Sequence, residues 1–318
     1  MITDSSGTPL VSAPTGSGVA FVTGAGGFIG GRVAAAFKAS GWRVAAFGPG
    51  AALPGASYLS ERLLASDDLE AAVQAVGGPA LLVHAAGPSS VGRSVTAPAE
   101  DFERTMGSLA VTLAFLRAAA PEARLIFPSS AAVYGAGHAR PITETDALHP
   151  ASPYGLHKRL AEELIAGWSA QYGLKACCVR LFSIYGAGNR KQLPWDIVQR
   201  LKARPAALRL SGAGDERRDY LHVDDVARLF GLLAVLEANR LPPVLNGGTG
   251  VGVTVAGMAR AIIAASDLKP ELAFNGEVRA GDPPFLVADV SNAAALGFRP
   301  QVDFDEGVAT FVRWAETT

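Results

Sequence analysis

The stretch Val19-Ala20-Phe21-Val22-Thr23-Gly24-Ala25-Gly26-Gly27-Phe28-Ile29-Gly30 decides how the rest of the chain is read. Its first five residues are largely β-branched or aromatic, which suits a pleated and buried strand. They run directly into glycines. From Phe28 to Ser40 apolar residues recur at helical spacing, and Gly41 stands where such a helix would end. Glycine at 24, 27 and 30 permits a tight turn, close approach of a pyrophosphate to the backbone, and close packing of the helix on the strand. The helix N-terminus then offers free N–H groups and the positive end of its dipole. The spacing is G-x-x-G-x-x-G. A plain strand-to-helix turn would also fit, but in this context the motif points to dinucleotide binding by Gly24, Gly27, Phe28, Ile29 and Gly30.

Outward from this turn, apolar runs alternate with helical stretches. Strands are predicted over 43–47, 80–84, 124–127 and 175–182, and helices over 68–76, 99–120 and 154–172. Such repetition means parallel strands joined by right-handed crossovers, an α/β fold of the Rossmann type with a doubly wound parallel sheet. Ligands of these sheets sit beyond the carboxyl ends of the strands. After residue 183 prolines at 194, 205, 242, 243, 283, 284 and 300 break the pattern. The expected organisation is a leader over 1–18, a dinucleotide-binding domain over 19–182, and a smaller mixed α/β substrate-binding lobe over 183–318. Some segments of that lobe return to the first domain.

Composition narrows the function. The 318 residues are 49% hydrophobic and carry 28 Lys and Arg against 29 Asp and Glu, which disfavours a general binder of nucleic acid or anionic membrane. The two cysteines, Cys177 and Cys178, are adjacent in an apolar run and cannot staple a fold. The five histidines stand at no zinc spacing, so no metal is expected. Residues 1–18 lack the basic and apolar regions of a signal peptide and read as a disordered leader. No apolar run reaches membrane length. A soluble, cytoplasmic protein is expected.

Phe127-Pro128-Ser129-Ser130-Ala131-Ala132-Val133-Tyr134 follows a buried strand and delivers hydroxyls to the ligand edge. Further on, Tyr154 and Lys158 are four residues apart and share one helix face. A tyrosine near its usual pKa of about 10 is a poor base at neutral pH. A neighbouring ammonium and an oxidised nicotinamide would both lower that value. Ser130 can bond the same substrate oxygen. Together Ser130, Tyr154 and Lys158 can move a hydroxyl proton while hydride passes to or from a nicotinamide. The second strand ends at Gly48 with neither the acid that favours NAD nor the arginine that favours NADP, so both remain open. Asp67 and Asp68 suit either an adenine contact or a helix start.

In these motifs the chain resembles the extended short-chain dehydrogenase/reductases, specifically their NAD-dependent epimerase/dehydratase group. His84-Ala85-Ala86-Gly87 is similar to the family's fourth-strand turn, and Gly212-Ala213-Gly214-Asp215-Glu216-Arg217-Arg218-Asp219-Tyr220 to a later substrate stretch. Val244 to Gly248, Arg279 to Asp282 and Ala288-Asp289 are similar to its C-terminal motifs. The resemblance implies that Ala85, Ala86, Gly87, Tyr154 and Lys158 line the cofactor. It implies that Arg218, assisted by Arg279, holds a substrate diphosphate, a role that suits the guanidinium fork. An ion pair of Arg218 with Asp219 or Glu216 is the alternative. Asp224 and Asp225 are expected to cap the following helix. Ser183 stands where the family has a sugar-contacting amide, and Thr105 to Ser108 replace its helical Asn-Val-x-Gly-Thr. Ala131-Ala132 replaces the Asp-Glu pair of the 4,6-dehydratases, which argues against water elimination.

The implied activity is NAD(P)-dependent epimerisation of a nucleotide-diphosphate sugar through a keto intermediate. A 4-keto reductase of a nucleotide-diphosphate deoxysugar uses the same residues, and a reductase of a non-sugar carbonyl compound is a further alternative. A dinucleotide sensor without turnover conflicts with the intact Tyr154 and Lys158. A homodimer through the two long helices is expected from the family.

Overall fold

In the computed structural model, the described residues are 18–51, 53–61, 65–277 and 283–318. The opening run forms β1 (Val19–Thr23), buried at every position. It turns through the glycines into α1 (Phe28–Ala39), whose Val33, Ala34, Ala36 and Phe37 face the core. β2 (Arg43–Phe47), β3 (Tyr58–Ser60), α2 (Ser66–Val76), β4 (Leu81–His84), α3 (Val91–Thr96), α4 (Pro98–Ala119), β5 (Arg124–Ser130), α5 (Pro153–Tyr172) and β6 (Lys175–Leu181) follow. The remaining elements are β7 (Ser183–Tyr185), α6 (Gln192–Leu201), β8 (Ala207–Leu210), β9 (Arg217–His222), α7 (Val223–Val235), β10 (Val244–Gly247), β11 (Gly252–Thr254), α8 (Val255–Ala265), β12 (Glu271–Phe274), β13 (Phe285–Leu286), α9 (Ser291–Ala295) and α10 (Phe304–Glu316).

The main sheet has the order β10-β6-β5-β4-β1-β2-β3. The pairs β1–β2, β2–β3, β1–β4, β4–β5 and β5–β6 are all parallel. The chain leaves β1 in one direction for β2 and β3, then returns to place β4 on the other side of β1. That reversal opens a crevice beyond the carboxyl ends of β1 and β4, where doubly wound sheets bind their ligands. The doubly wound Rossmann-type sheet read from the alternation is therefore the sheet observed.

Two details differ from the sequence pattern. The short β3 was not anticipated, because only Tyr58 and Leu59 of its three residues favour a strand. β5 continues past Phe127 to Ser130, because Pro128 to Ser130 find β6 partners in Val179 to Leu181. α5 starts as its sequence demands. Ser152 caps it by accepting from the Gly155 N–H at 3.1 Å, and Pro153 occupies the first turn.

Two compact units are present. Of the described residues, one comprises those from 18 to 134, 148–181 and 226–245, and the other those in 135–147, 182–225 and 246–318. The first has a core of Phe21, Phe47, Leu69, Leu82, Leu113 and Phe127 between the sheet and its helices. The second builds its own core from Tyr185, Ile197, Leu208, Met258, Ile262, Phe311 and Val312. In that unit Asp224 and Asp225 lie inside the first turn of α7 rather than capping it. The Asp225 carboxylate accepts from the Gln301 and Val302 N–H groups at 2.8 and 3.2 Å, so it ties the helix start to a later loop. Among the described residues no helix is long and apolar enough to cross a membrane.

Candidate active site

Two backbone turns meet at the crevice. Gly24 has a φ of +69°, and a Cβ there would overlap the Ala85 carbonyl, so the β1 turn lies directly on the turn after β4. A Cβ on Gly30 would overlap the Gly24 carbonyl. These two glycines let strand, turn and helix close on one another. Gly26 and Gly27 are exposed, and a Cβ on Gly27 would meet only the Gly24 carbonyl oxygen at 3.2 Å. Gly27 is the N-cap of α1, has no side-chain cap, and is followed by no acid in the first turn. The first-turn N–H groups therefore present an uncapped positive end, which fits a pyrophosphate.

The Ala85-Ala86-Gly87 turn is fixed from beneath. The Ala85 N–H donates to the Thr23 carbonyl at 3.1 Å, and the Ala86 N–H to Thr23 Oγ1 at 3.3 Å. His84 is fully buried, its Nδ1 2.9 Å from both Thr23 Oγ1 and Thr112 Oγ1. Burial, aided by the Lys158 charge, pushes its pKa down to about 3. The imidazole is therefore a neutral strut.

Ser130 ends β5, and its Oγ accepts from the Ala132 N–H at 3.2 Å. Tyr154 is hydrogen-bonded to Ser130 through its side chain, and its N–H donates to Ser94 Oγ at 3.0 Å. One turn on, the Lys158 ammonium donates to the Pro128 carbonyl at 2.9 Å and lies 4.5 Å from the centre of the Phe127 ring. It is 5.9 Å from the Tyr154 ring centre. Strand end and helix face thus bring Ser130, Tyr154 and Lys158 together within the first unit.

Tyr154 was expected to be acidified by Lys158 together with an oxidised nicotinamide. Burial instead pushes the phenol up to about 12, and the Ser130 hydrogen bond offsets only part of this. Burial also pushes Lys158 down to about 8. In the protein alone Tyr154 is therefore a proton donor.

In the second unit Ser183 is in register with Tyr220, two residues beyond Arg218 on β9, so Ser183 and Arg218 share one face of neighbouring strands. Asp219 does not serve Arg218. Its carboxylate accepts from Thr249 N–H and Oγ1 and from the Gly250 and Ala288 N–H groups. The Arg218 guanidinium donates to the Arg217 carbonyl at 2.9 Å, and its charge, after the backbone N–H groups of 213 and 214, helps hold the Glu216 carboxyl low. Arg279 lies outside the described residues. Asp68 is buried and accepts from Ser60 Oγ at 3.1 Å, whereas Asp67 is exposed beside Ser66.

The pattern of residues had not pointed to a buried network beside this site. Ser129 Oγ donates to Glu162 Oε1 at 2.5 Å. Arg180 donates to Glu162 through Nε at 3.1 Å and NH2 at 2.7 Å, and through NH1 to the Tyr134 hydroxyl at 3.0 Å. The signal was present: Glu162 continues the Tyr154–Lys158 stripe by one turn, and Arg180 interrupts the apolar run of β6. Similarly, His157 Nδ1 donates to Asp101 Oδ1 at 2.6 Å, a pairing that nothing in their separate helices announces.

The family model described as the NAD dependent epimerase/dehydratase family matches residues 20–246. The chain belongs to this family. UDP-glucose 4-epimerase of Azospirillum brasilense is 30% identical over 312 residues, covering 90% of this chain and 88% of the relative. The structure of MoeE5 in complex with UDP-glucose and NAD superposes with a TM-score of 0.82 at 29% identity, covering 94% of this chain and 99% of that one. UDP-glucose 4-epimerase of Thermotoga maritima, solved with UDP-glucose, gives 0.81 at 27% identity, covering 93% and 98%. The protein is thus an NAD-dependent enzyme of the epimerase/dehydratase type, and the glycine turn and uncapped α1 N-terminus fit that cofactor.

Proposed function

We propose that this enzyme epimerises the hexose of a nucleotide-diphosphate sugar, inverting one hydroxyl-bearing carbon through a keto sugar, with a UDP-hexose as the substrate. The observation that carries this reading is the Ser130–Tyr154–Lys158 group at the end of β5. The UDP-glucose 4-epimerases among its relatives support the substrate class. Alanines at 131 and 132 leave that position without an acid–base pair for water elimination.

Gly24, Gly27, Phe28, Ile29 and Gly30, with Ala85, Ala86 and Gly87, would hold the dinucleotide. When bound, its nicotinamide supplies a hydride acceptor and donor at the sugar carbon, and a positive charge when oxidised. Tyr154 takes the hydroxyl proton as the carbon is oxidised and returns it as the carbon is reduced on its other face. The reaction therefore has no net redox change. A phenol near 12 needs added positive charge to act as the base, and Lys158, protonated below about 8, contributes to it. Ser130 orients the oxygen that gives up the proton. Arg218 would clamp the diphosphate, and Ser183 would meet the sugar nucleotide. Exposed Phe102 on α4 and Leu156 on α5 support a homodimer through these helices.

The test is turnover of UDP-glucose by purified protein with no added nucleotide. Expected is formation of UDP-galactose to equilibrium, with Tyr154→Phe lowering kcat by about 10²–10⁴-fold. Arg218→Ala raises KM about tenfold or more with kcat little changed. A stoichiometric demand for reduced nucleotide, with release of the oxidised form, assigns a reductase and refutes epimerisation.

A further inference from the structure

Dinucleotide-binding sheets commonly read the adenosine ribose with an acid at the end of the second strand, beside the phosphate turn. In β2 that position is Gly48. Its φ is +123°, which L side chains rarely adopt, so the backbone disfavours any carboxylate there. A Cβ on Gly48 would stand 3.4 Å from Gly24 Cα, and the Ala25 N–H donates to the Phe47 carbonyl at 3.0 Å. The end of β2 thus lies directly against the first glycine of the turn. The loop that follows stays there as well, because a Cβ on Gly26 would overlap the Pro49 carbonyl oxygen and come within 2.8 Å of the Ala51 nitrogen.

The neighbouring strand carries a carboxylate to the same edge. β3 is parallel to β2 with Ser60 opposite Phe47, and the Gly48 N–H donates to the Ser60 carbonyl at 2.9 Å. Glu61, the next residue, therefore stands alongside Gly48, about one strand spacing (~4.8 Å) across the sheet. Side chains alternate between the two faces of a strand. Phe47 packs in the core that holds Leu69 of α2, and Ser60 Oγ donates to Asp68 of α2, so both point to the α2 face. Leu59 and Glu61 point to the other face, where both line a groove of about 420 Å³ with Ala51, Leu53 and Gly55. Glu61 is the only charged residue among those lining it. Lys38 approaches the groove at Gly55, but from the last turn of α1. That is about 16 Å along the helix from Gly27.

Ala51 joins the two features, because it packs on Gly26 of the phosphate turn and lines the groove in which Glu61 stands. We propose that Glu61 reads the adenosine ribose in place of an acid on β2, and so makes the site select NAD over NADP. Its carboxylate accepts from ribose hydroxyls, and its extra methylene relative to aspartate offsets part of the strand spacing. Facing a 2′-phosphate, the same carboxylate loses a donor and meets a like charge, which is discrimination by repulsion as well as attraction. The inference rests on the dinucleotide site of the proposed function.

The test is equilibrium dialysis of the full-length protein against equal concentrations of oxidised NAD and NADP, with the bound nucleotides released and quantified by chromatography. The parent binds NAD in preference to NADP by about a hundredfold or more. Glu61→Gln keeps the length of the side chain and deletes its charge. It lowers that ratio by about tenfold or more, through weaker binding of NAD and stronger binding of NADP. Glu61→Asp keeps the charge and still disfavours NADP. Glu61 is exposed, so both variants fold, and their thermal unfolding matches the parent's. A parent that binds the two nucleotides alike overturns the proposal, as does a Glu61→Gln variant whose ratio is unchanged because both affinities stay or fall together. A parent that binds neither nucleotide overturns the dinucleotide site of the proposed function, and the role of Glu61 with it.

Discussion

Replacing Glu162 with Gln probes the network that holds the end of β5. Glu162 and Arg180 are each 6% exposed at the side chain, and their nearest contact is 2.7 Å. Burial alone would push the Arg180 guanidinium down, and the Glu162 carboxylate more than reverses this. In Glu162→Gln that charge loses its counterion while staying buried, a change that costs about 3–5 kcal/mol. For a folding unit of this size class each kcal/mol moves the midpoint by about 2–4 °C, so thermal unfolding falls by roughly 6–20 °C. The assay is thermal unfolding followed by circular dichroism, with Arg180→Met and the double variant alongside. Removing both charges leaves nothing uncompensated, so Glu162→Gln/Arg180→Met is more stable than Glu162→Gln alone. The reasoning fails if Glu162→Gln melts within about 2 °C of the parent, or if the double variant is no more stable than the single.

Two further outcomes are expected. His84 titrates near 6.5 in the unfolded chain and about 3 in the folded protein, because burial and then Lys158 disfavour imidazolium. Between these values only the unfolded chain binds the proton, so stability falls as pH falls. Relative to His84→Asn, the parent loses roughly 3 kcal/mol by about pH 4 in urea titrations, and parallel pH profiles would contradict this. Gly30→Val drives a branched side chain into the Gly24 carbonyl and abolishes NAD binding in calorimetry, whereas Gly27→Ala, whose Cβ would meet only the Gly24 carbonyl oxygen at 3.2 Å, weakens binding far less. Equal losses in the two variants would show that the turn does not work as described.

The doubly wound sheet was legible because its signals are local. The run from Val19 to Thr23 is strand-forming, the glycines can only close a turn, and the spacing from Phe28 is helical. Tyr154 and Lys158 were legible because four residues on a helix define a face, and Ser130 because it follows an apolar strand. Tertiary structure decided what depends on distance between elements. It set the ionisation of Tyr154, because burial outweighs any charge the sequence could count. It joined Asp101 to His157 and Glu162 to Arg180 across elements whose sequences carry no record of each other. A motif fixes which groups are available, whereas desolvation and pairing are properties of the volume around a side chain, and only the folded chain has that volume.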